Sequence, residues 1–277
     1  MTPTTQPLFW RDTALPFVEL RHIIDGHKVR YVPHSHEQWS IGAILGGESA
    51  YLCADRIYDV AAGDLVIMNP QLVHACNPKV GSPWSYYMMH VDCDWLAKLL
   101  HRNGVRSTPS WEPSQTDWLT SPDLFERYRA MAEVLFSEHG AQSDKTTALE
   151  SFLCHLFESI DKAAAQESKL PVTPNKLARV ANYLLEHCHL ETPIEDIADQ
   201  FGYSASYLTR QFKQYYKMTP HAYRLNRRIQ LGQLALKNGV PIAEVANAFG
   251  FSDQAHFQRV FKERVAATPN QYRSIHR

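Results

Sequence analysis

The chain has 277 residues, 44% of them apolar and 21% charged, with 16 Pro and 12 Gly. At ~100–200 residues per domain this makes one large or two medium domains, and the composition excludes collagen, low-complexity disorder and a small disulfide-stapled scaffold. No window supplies the ~18 consecutive apolar residues of a membrane span. Met1 to Arg11 shows no basic start followed by an apolar run, so no signal peptide is expected. The five cysteines (Cys53, Cys76, Cys93, Cys154 and Cys188) include no CxxC pair, which suits reduced thiols in the cytoplasm.

The net charge of −1 conceals an asymmetry. Residues 174–277 carry 14 Lys+Arg against 8 Asp+Glu, a net +6; residues 1–173 carry 14 against 21, a net −7. A basic C-terminal third on an acidic remainder suggests two jobs on one chain, the basic part meeting a polyanion.

In chain order, the first ~95 residues read as strands, with turn signals every ~8–12 residues. Ile41–Leu45 precedes Gly46 and Gly47; Tyr51–Ala54, Asp64–Met68 (before Asn69 and Pro70) and Tyr86–Val91 follow. This pattern predicts an antiparallel sandwich or barrel. From Trp95 the period becomes helical. Leu124, Tyr128, Met131 and Leu135 mark one helix; Leu149, Phe152, Leu153, Leu156, Phe157 and Ile160 mark a second, with a wide apolar stripe. That stripe has two readings: a layer packed on the strands, or one that also forms a self-association seam. Polar, proline-ended 161–174 reads as an interdomain linker. The expected division is 1–165, a linker at 166–174, and a helical domain at 175–277.

Within the last domain the sequence repeats. Ile197, Ala198, Phe201, Gly202 and Ser204 match Val245, Ala246, Phe249, Gly250 and Ser252 at an offset of 48. Leu208, Arg210, Phe212, Lys213, Thr219, Pro220, Tyr223 and Arg224 match Phe257, Arg259, Phe261, Lys262, Thr268, Pro269, Tyr272 and Arg273 at an offset of 49. Each copy encodes helix, tight turn, helix. The glycine suits a left-handed backbone after a helix, and Ser204 and Ser252 are the expected caps of the next helix. In the second helix of copy one, Ser206, Thr209, Arg210 and Lys213 share the outward face. In copy two the outward stripe is Ala255, Gln258, Arg259 and Lys262, with Gln254 and His256 near its start. Such a helix fits a DNA major groove. Arg210 and Arg259 can pair bidentately with guanine; Thr209, Gln254, Gln258 and His256 can reach other base edges or phosphates; Lys213 and Lys262 suit phosphate. Ala255 cannot hydrogen-bond a base.

Residues 175–277 thus resemble the DNA-binding domain of the AraC/XylS family of bacterial transcription regulators, through the run from Ala246 to Asp253, the run from Phe257 to Lys262, and the close from Thr268 to Arg273. The resemblance implies two helix-turn-helix units joined by a long helix, here His221–Leu236, with the two recognition helices in successive major grooves. It implies promoter DNA and RNA polymerase as partners, and it favours a homodimer.

The N-terminal part is similar to the small cupin-like β-barrel sensor of the same family, through Val32-Pro-His34-Ser-His36 and the run Ala62-Gly63-Asp64 to Asn69-Pro70 and His74. The fold class expected is therefore α+β: a cupin-like barrel followed by helices, then an all-α domain. His34 and His36, two apart, would share one face of a strand, and His74 can converge with them. Three readings stay open. The histidines hydrogen-bond within the barrel mouth; they line an effector pocket with Trp39, Tyr86 and His90; or they hold a metal ion. Against the last, the glutamate of metal-binding cupins is replaced by Ser40 or Ile41, and Glu37 has the wrong parity. Trp84 and Tyr87 are further pocket or core candidates. The function expected is a DNA-binding transcription regulator controlled by a small molecule in the barrel, not an enzyme, and needing no cofactor. The alternatives are a metal-dependent cupin protein and an effector-independent DNA binder.

Overall fold

The computed structural model describes residues 7–163 and 175–273; the expected linker at 166–174 lies outside the described residues. Nine strands come first: β1 Leu8–Trp10, β2 Val18–Ile23, β3 Trp39–Gly46, β4 Glu48–Cys53, β5 Arg56–Ala61, β6 Asp64–Met68, β7 His74–Pro78, β8 Ser85–Val91 and, after the helix α1 Cys93–Arg102, β9 Trp118–Thr120. The helices α2 Pro122–Phe136 and α3 Gln142–Ala163 complete this half. Then follow α4 Asn175–Glu186, α5 Ile194–Gln200, α6 Ala205–Tyr216, α7 Pro220–Lys237, α8 Ile242–Ala248, α9 Gln254–Val265 and α10 Pro269–Arg273.

The strands do not close into a barrel. They form a six-stranded antiparallel sheet, β1-β2-β8-β3-β6-β9, facing a three-stranded sheet, β5-β4-β7. The chain changes sheet between β3 and β4, where the register slips at Ile44–Gly46 and Gly47 takes φ +88°. A residue with a Cβ is strained there, whereas glycine is not. Each sheet face has its own layer because side chains alternate along a strand. On β3, Trp39, Ile41 and Ala43 join the core formed with α2 and α3, whereas Ile44 joins the core between the sheets, with Tyr51, Val66, Met68 and Tyr86. On β8, Tyr87, Met89 and Val91 take the helical side and Tyr86 the other. Tyr128 of α2 ties the helical layer to the sheet by donating to the Ile41 carbonyl, 3.0 Å away.

The apolar stripe of α3 is consumed inside this chain: Leu149, Phe152, Leu153, Leu156, Phe157 and Ile160 are all buried in the same core. They are therefore not a surface for a second copy, and of the two readings of this stripe the packed layer is the one observed.

The C-terminal half has two cores. One holds Leu177, Val180 and Leu184 of α4 against Ile197, Leu208 and Phe212; the other holds Val245, Phe257 and Phe261 against Ile229 and Leu236 of α7. Thus α7 is the long helix that joins two helix-turn-helix units. Arg228 of α7 is buried and staples them: Nε donates to the Cys188 carbonyl (2.5 Å), Nη2 to the Leu190 carbonyl (3.0 Å) and Nη1 to the Gly250 carbonyl. Gly250 sits at φ +73°, and a Cβ there would lie 2.4 Å from the His189 carbonyl oxygen.

Candidate functional site: two outward helices and a cavity between the domains

In both helix-turn-helix units the second helix presents its polar stripe to solvent. On α6, Ser206, Arg210 and Lys213 are exposed and Thr209 is half-buried; Leu208 and Phe212 on the opposite face are buried. On α9, Gln254, Arg259 and Lys262 are exposed and His256 and Gln258 half-buried, above buried Phe257 and Phe261. Arg210 lies over the Tyr207 ring, 5.4 Å from its centroid. The two starts differ. Ser204 caps α6 as expected, its Oγ accepting from Tyr207 N. Ser252 does not cap α9; Asp253 does, its Oδ1 accepting from His256 N at 2.7 Å. The step from 48 to 49 in the repeat offset explains this, because one extra residue moves the cap by one place.

The second candidate is a cavity of about 490 Å³ whose walls come from both halves of the chain. From the strand-rich half come Arg21, His34, His36, His74, Tyr86 and His90; from α7 come Asn226, Gln230 and Lys237, and from α9 Arg264. Its far wall is apolar, with Ile44, Val66, Met68, Trp84 and Met88. This is the size of a small-molecule site.

Of the sequence-predicted pocket residues, the structure brings His34, His36, His74, Tyr86 and His90 to this cavity and does not bring Trp39. Trp39 is fully buried against Phe157, with ring centroids 5.1 Å apart. Its neighbour Ser40 faces the histidines instead, as strand alternation requires. His34 and His36 are not on a strand. They lie in the segment before β3, where His34 forms an isolated bridge with His74.

The four imidazoles run in series: His34 to His74 (centroids 4.5 Å apart), His74 to His36 (4.7 Å) and His36 to His90 (4.8 Å). The Nδ1 atoms of His34, His36 and His74 lie 2.9, 2.8 and 2.9 Å from the carbonyl oxygens of Val32, Gln38 and Leu72. A carbonyl can only accept, so each Nδ1 carries the proton and each neutral ring keeps its Nε2 lone pair. Burial holds the His74 pKa down at about 4 and that of His90 at about 3; His34 and His36 are lowered well below the usual value by burial and then by His74. Ser40, at the position a cupin glutamate would take, bridges His90 Nδ1 (2.7 Å) and His36 Nε2 (3.4 Å). Among the described residues no group of three or more His, Cys, Asp or Glu is arranged to hold a metal ion.

One end of the cavity is ionic. Glu19, fully buried on β2, receives Lys237 Nζ at 2.7 Å and Arg11 Nε at 2.8 Å, with Arg21 Nη2 3.9 Å away. Burial pushes its pKa up, but Lys237 and Arg11 outweigh that and leave it well below the carboxylate range. The same surface carries direct bonds between the halves. Asn226 Nδ2 and Gln230 Nε2 both donate to the Ser35 carbonyl, at 3.0 and 2.9 Å, and Arg227 pairs with Glu37. Glu19, Arg21, Asn226, Gln230, Lys237 and Arg264 escaped the sequence reading. The available signal was a run of charge at inward parity on β2 and polar residues one turn apart on α7.

Residues 16–157 match the family of the AraC-like ligand binding domain, and residues 197–275 match a helix-turn-helix domain family. The chain is 28% identical over 233 residues to the uncharacterized HTH-type transcriptional regulator YbfI of Bacillus subtilis, covering 82% of this chain and 81% of that one. It is 26% identical over 221 residues to the MmsAB operon regulatory protein of Pseudomonas aeruginosa, covering 79% of this chain and 68% of that one. The fold is shared with ToxT from Vibrio cholerae O395: TM-score 0.53 at 11% identity, over 92% of this chain and 96% of that one. Among the described residues no helix is long and apolar enough to cross a membrane. A ligand-binding domain of AraC type, followed by two helix-turn-helix units, makes this chain a member of the AraC/XylS family of DNA-binding transcription regulators.

Proposed function

We propose that α6 and α9 read promoter DNA in the cytoplasm, and that a small molecule in the cavity between the halves sets whether they are held in a productive pose before RNA polymerase. The observation that carries this reading is the shared wall. A ligand touching His34, His74 and His90 on one side touches Gln230, Lys237 and Arg264 on the other. Its binding energy is therefore coupled to the docking of α7, the helix that both reading units share. Arg210 and Arg259 supply direct base readout; Ser206, Thr209, Gln254, His256 and Gln258 supply further base or phosphate contacts; Lys213 and Lys262 position the protein on phosphates.

The test is fluorescence anisotropy on a site selected from random duplex DNA. Arg210→Ala and Arg259→Ala should each cost ~1–3 kcal/mol at that site and, both residues being exposed, leave the melting temperature unchanged. Full specific affinity in both variants refutes the assignment of the reading helices. For the cavity, a metabolite mixture that shifts melting of the wild type should have no effect on Met88→Trp, whose indole occupies the space.

A further inference from the structure

The polar groups of the cavity are unbalanced in a way that points to a class of ligand. Its carboxylates are already committed: Glu19 to Lys237 and Arg11, Glu37 to Arg227, and Asp92 to the start of α1, where its Oδ1 accepts from Trp95 N. Two of its guanidinium groups are not so matched. Arg21, buried on β2, gives Nη1 to the Val265 carbonyl at 2.6 Å, its Nη2 stands 3.9 Å from Glu19, and its Nε meets no acceptor among the described residues. Arg264, 9% exposed, has Nη1 3.4 Å from the Val260 carbonyl and 3.8 Å from the carboxylate of Glu263, and its Nε also meets no acceptor among the described residues. Each is a buried cation whose carboxylate stands only at the edge of ion-pair distance and whose Nε is unpartnered among the described residues, so an incoming anion would better match its charge. The histidine row asks for the opposite. With each Nδ1 proton given to a backbone carbonyl, the Nε2 atoms of His34 and His74 can only accept.

We propose that the cavity takes a small hydroxycarboxylate, its carboxylate paired with Arg21 and Arg264 and its hydroxyl donating to the histidine row. This rests on reading the cavity as the effector site and adds the ligand's chemistry to it. An amine meets the guanidinium groups with the wrong charge. A plain carboxylate brings no donor to the imidazole acceptors. A neutral amide adds no charge to two guanidinium groups whose carboxylates, Glu19 and Glu263, stand 3.9 and 3.8 Å away. The apolar wall of Ile44, Val66, Met68 and Met88 accepts the carbon skeleton between the two polar ends.

The experiment uses the full chain with matched probes: lactate, 4-hydroxybutanoate and 6-hydroxyhexanoate, each beside its amide, its amine and the carboxylate lacking the hydroxyl. Melting temperature and calorimetric titration are read for each. The expected result is a saturable response to at least one hydroxycarboxylate, at least about tenfold tighter than to its amide or to the unhydroxylated acid, the discrimination of a buried hydrogen-bonding site. Arg21→Gln should weaken it by about tenfold or more; if that variant does not fold, Arg264→Gln carries the same expectation. His74→Asn should erase the preference for the hydroxyl while keeping that for the carboxylate. Equal or tighter binding of amides or amines, no response to any hydroxycarboxylate, or a response untouched by Arg264→Gln overturns the proposal. If amides or amines bind and Met88→Trp abolishes their binding, the cavity remains the effector site and only its anionic character falls. If the binding survives Met88→Trp, the cavity reading falls as well.

Discussion

Lowering the pH from about 7.5 to about 5.5 should destabilise this protein through its histidine row, in a range where ordinary carboxylates remain ionised. His74 has a folded pKa of about 4 and His90 of about 3, against 6.5 unfolded. A depressed folded pKa means that the unfolded chain binds protons first. The stability is fully present above 6.5 and is lost as pH falls toward the folded values. At about pH 5.5 each such histidine costs close to 2.3RT for the one pH unit below its unfolded pKa, about 1.4 kcal/mol, so the pair costs about 2–3 kcal/mol. The figure barely depends on how far below 5 the folded pKa lies, since the native rings are neutral in either case. His34 and His36 act in the same direction. That loss is a large share of the ~5–15 kcal/mol stability of a typical domain. Urea unfolding of the wild type and of His74→Asn/His90→Gln at both pH values measures it. The double variant should recover about 2–3 kcal/mol of the pH-dependent loss. An undiminished pH dependence in that variant, or equal wild-type stability at both pH values, would refute the account of a buried neutral row.

Three further outcomes follow from the packing. Gly250→Ala should destabilise far more than Gly202→Ala in thermal melts: both sit at positive φ, but the new methyl meets the His189 carbonyl oxygen at 2.4 Å in one case and only the tip of Lys176 at 3.3 Å in the other. Arg228→Ala leaves three carbonyls without their guanidinium donor and should cost ~3 kcal/mol or more, with specific DNA affinity falling alongside melting temperature. Asp253→Ala should weaken DNA binding and lower the melting temperature, whereas Ser252→Ala should change neither appreciably, since Asp253 holds the first turn of α9; the reverse ranking would show that the serine is the cap.

Much of the reader was legible in the chain alone because a helix-turn-helix is a local object. Its apolar positions recur at helical spacing, its turn demands a glycine, and its outward stripe follows once the buried side is known. So α7 runs Pro220–Lys237, close to the expected His221–Leu236, and of the stripe the repeat indicated Ser206, Arg210, Lys213, Gln254, Ala255, Arg259 and Lys262 are exposed and Thr209, His256 and Gln258 half-buried. The misplaced cap was readable too, in the extra residue of the second copy.

The cavity is a different kind of object. Strand alternation alone puts Trp39 on one side of β3 and Ser40 on the other, but which side meets helices and which meets the second sheet depends on pairing partners far away in the chain. Whether the strands close into a barrel is decided by those same long-range pairings. Most of all, Arg21 and Arg264 are 243 positions apart in the sequence, and no periodicity links them. The amino-acid order determined the elements, the duplicated DNA reader and the family, because those rest on contacts within a few turns of helix. Only the tertiary structure decided that α7 and α9 wall the histidine cavity, because that requires the two halves to press together, with Phe9 and Val73 buried in the cores of the C-terminal half beside the polar contacts of α7.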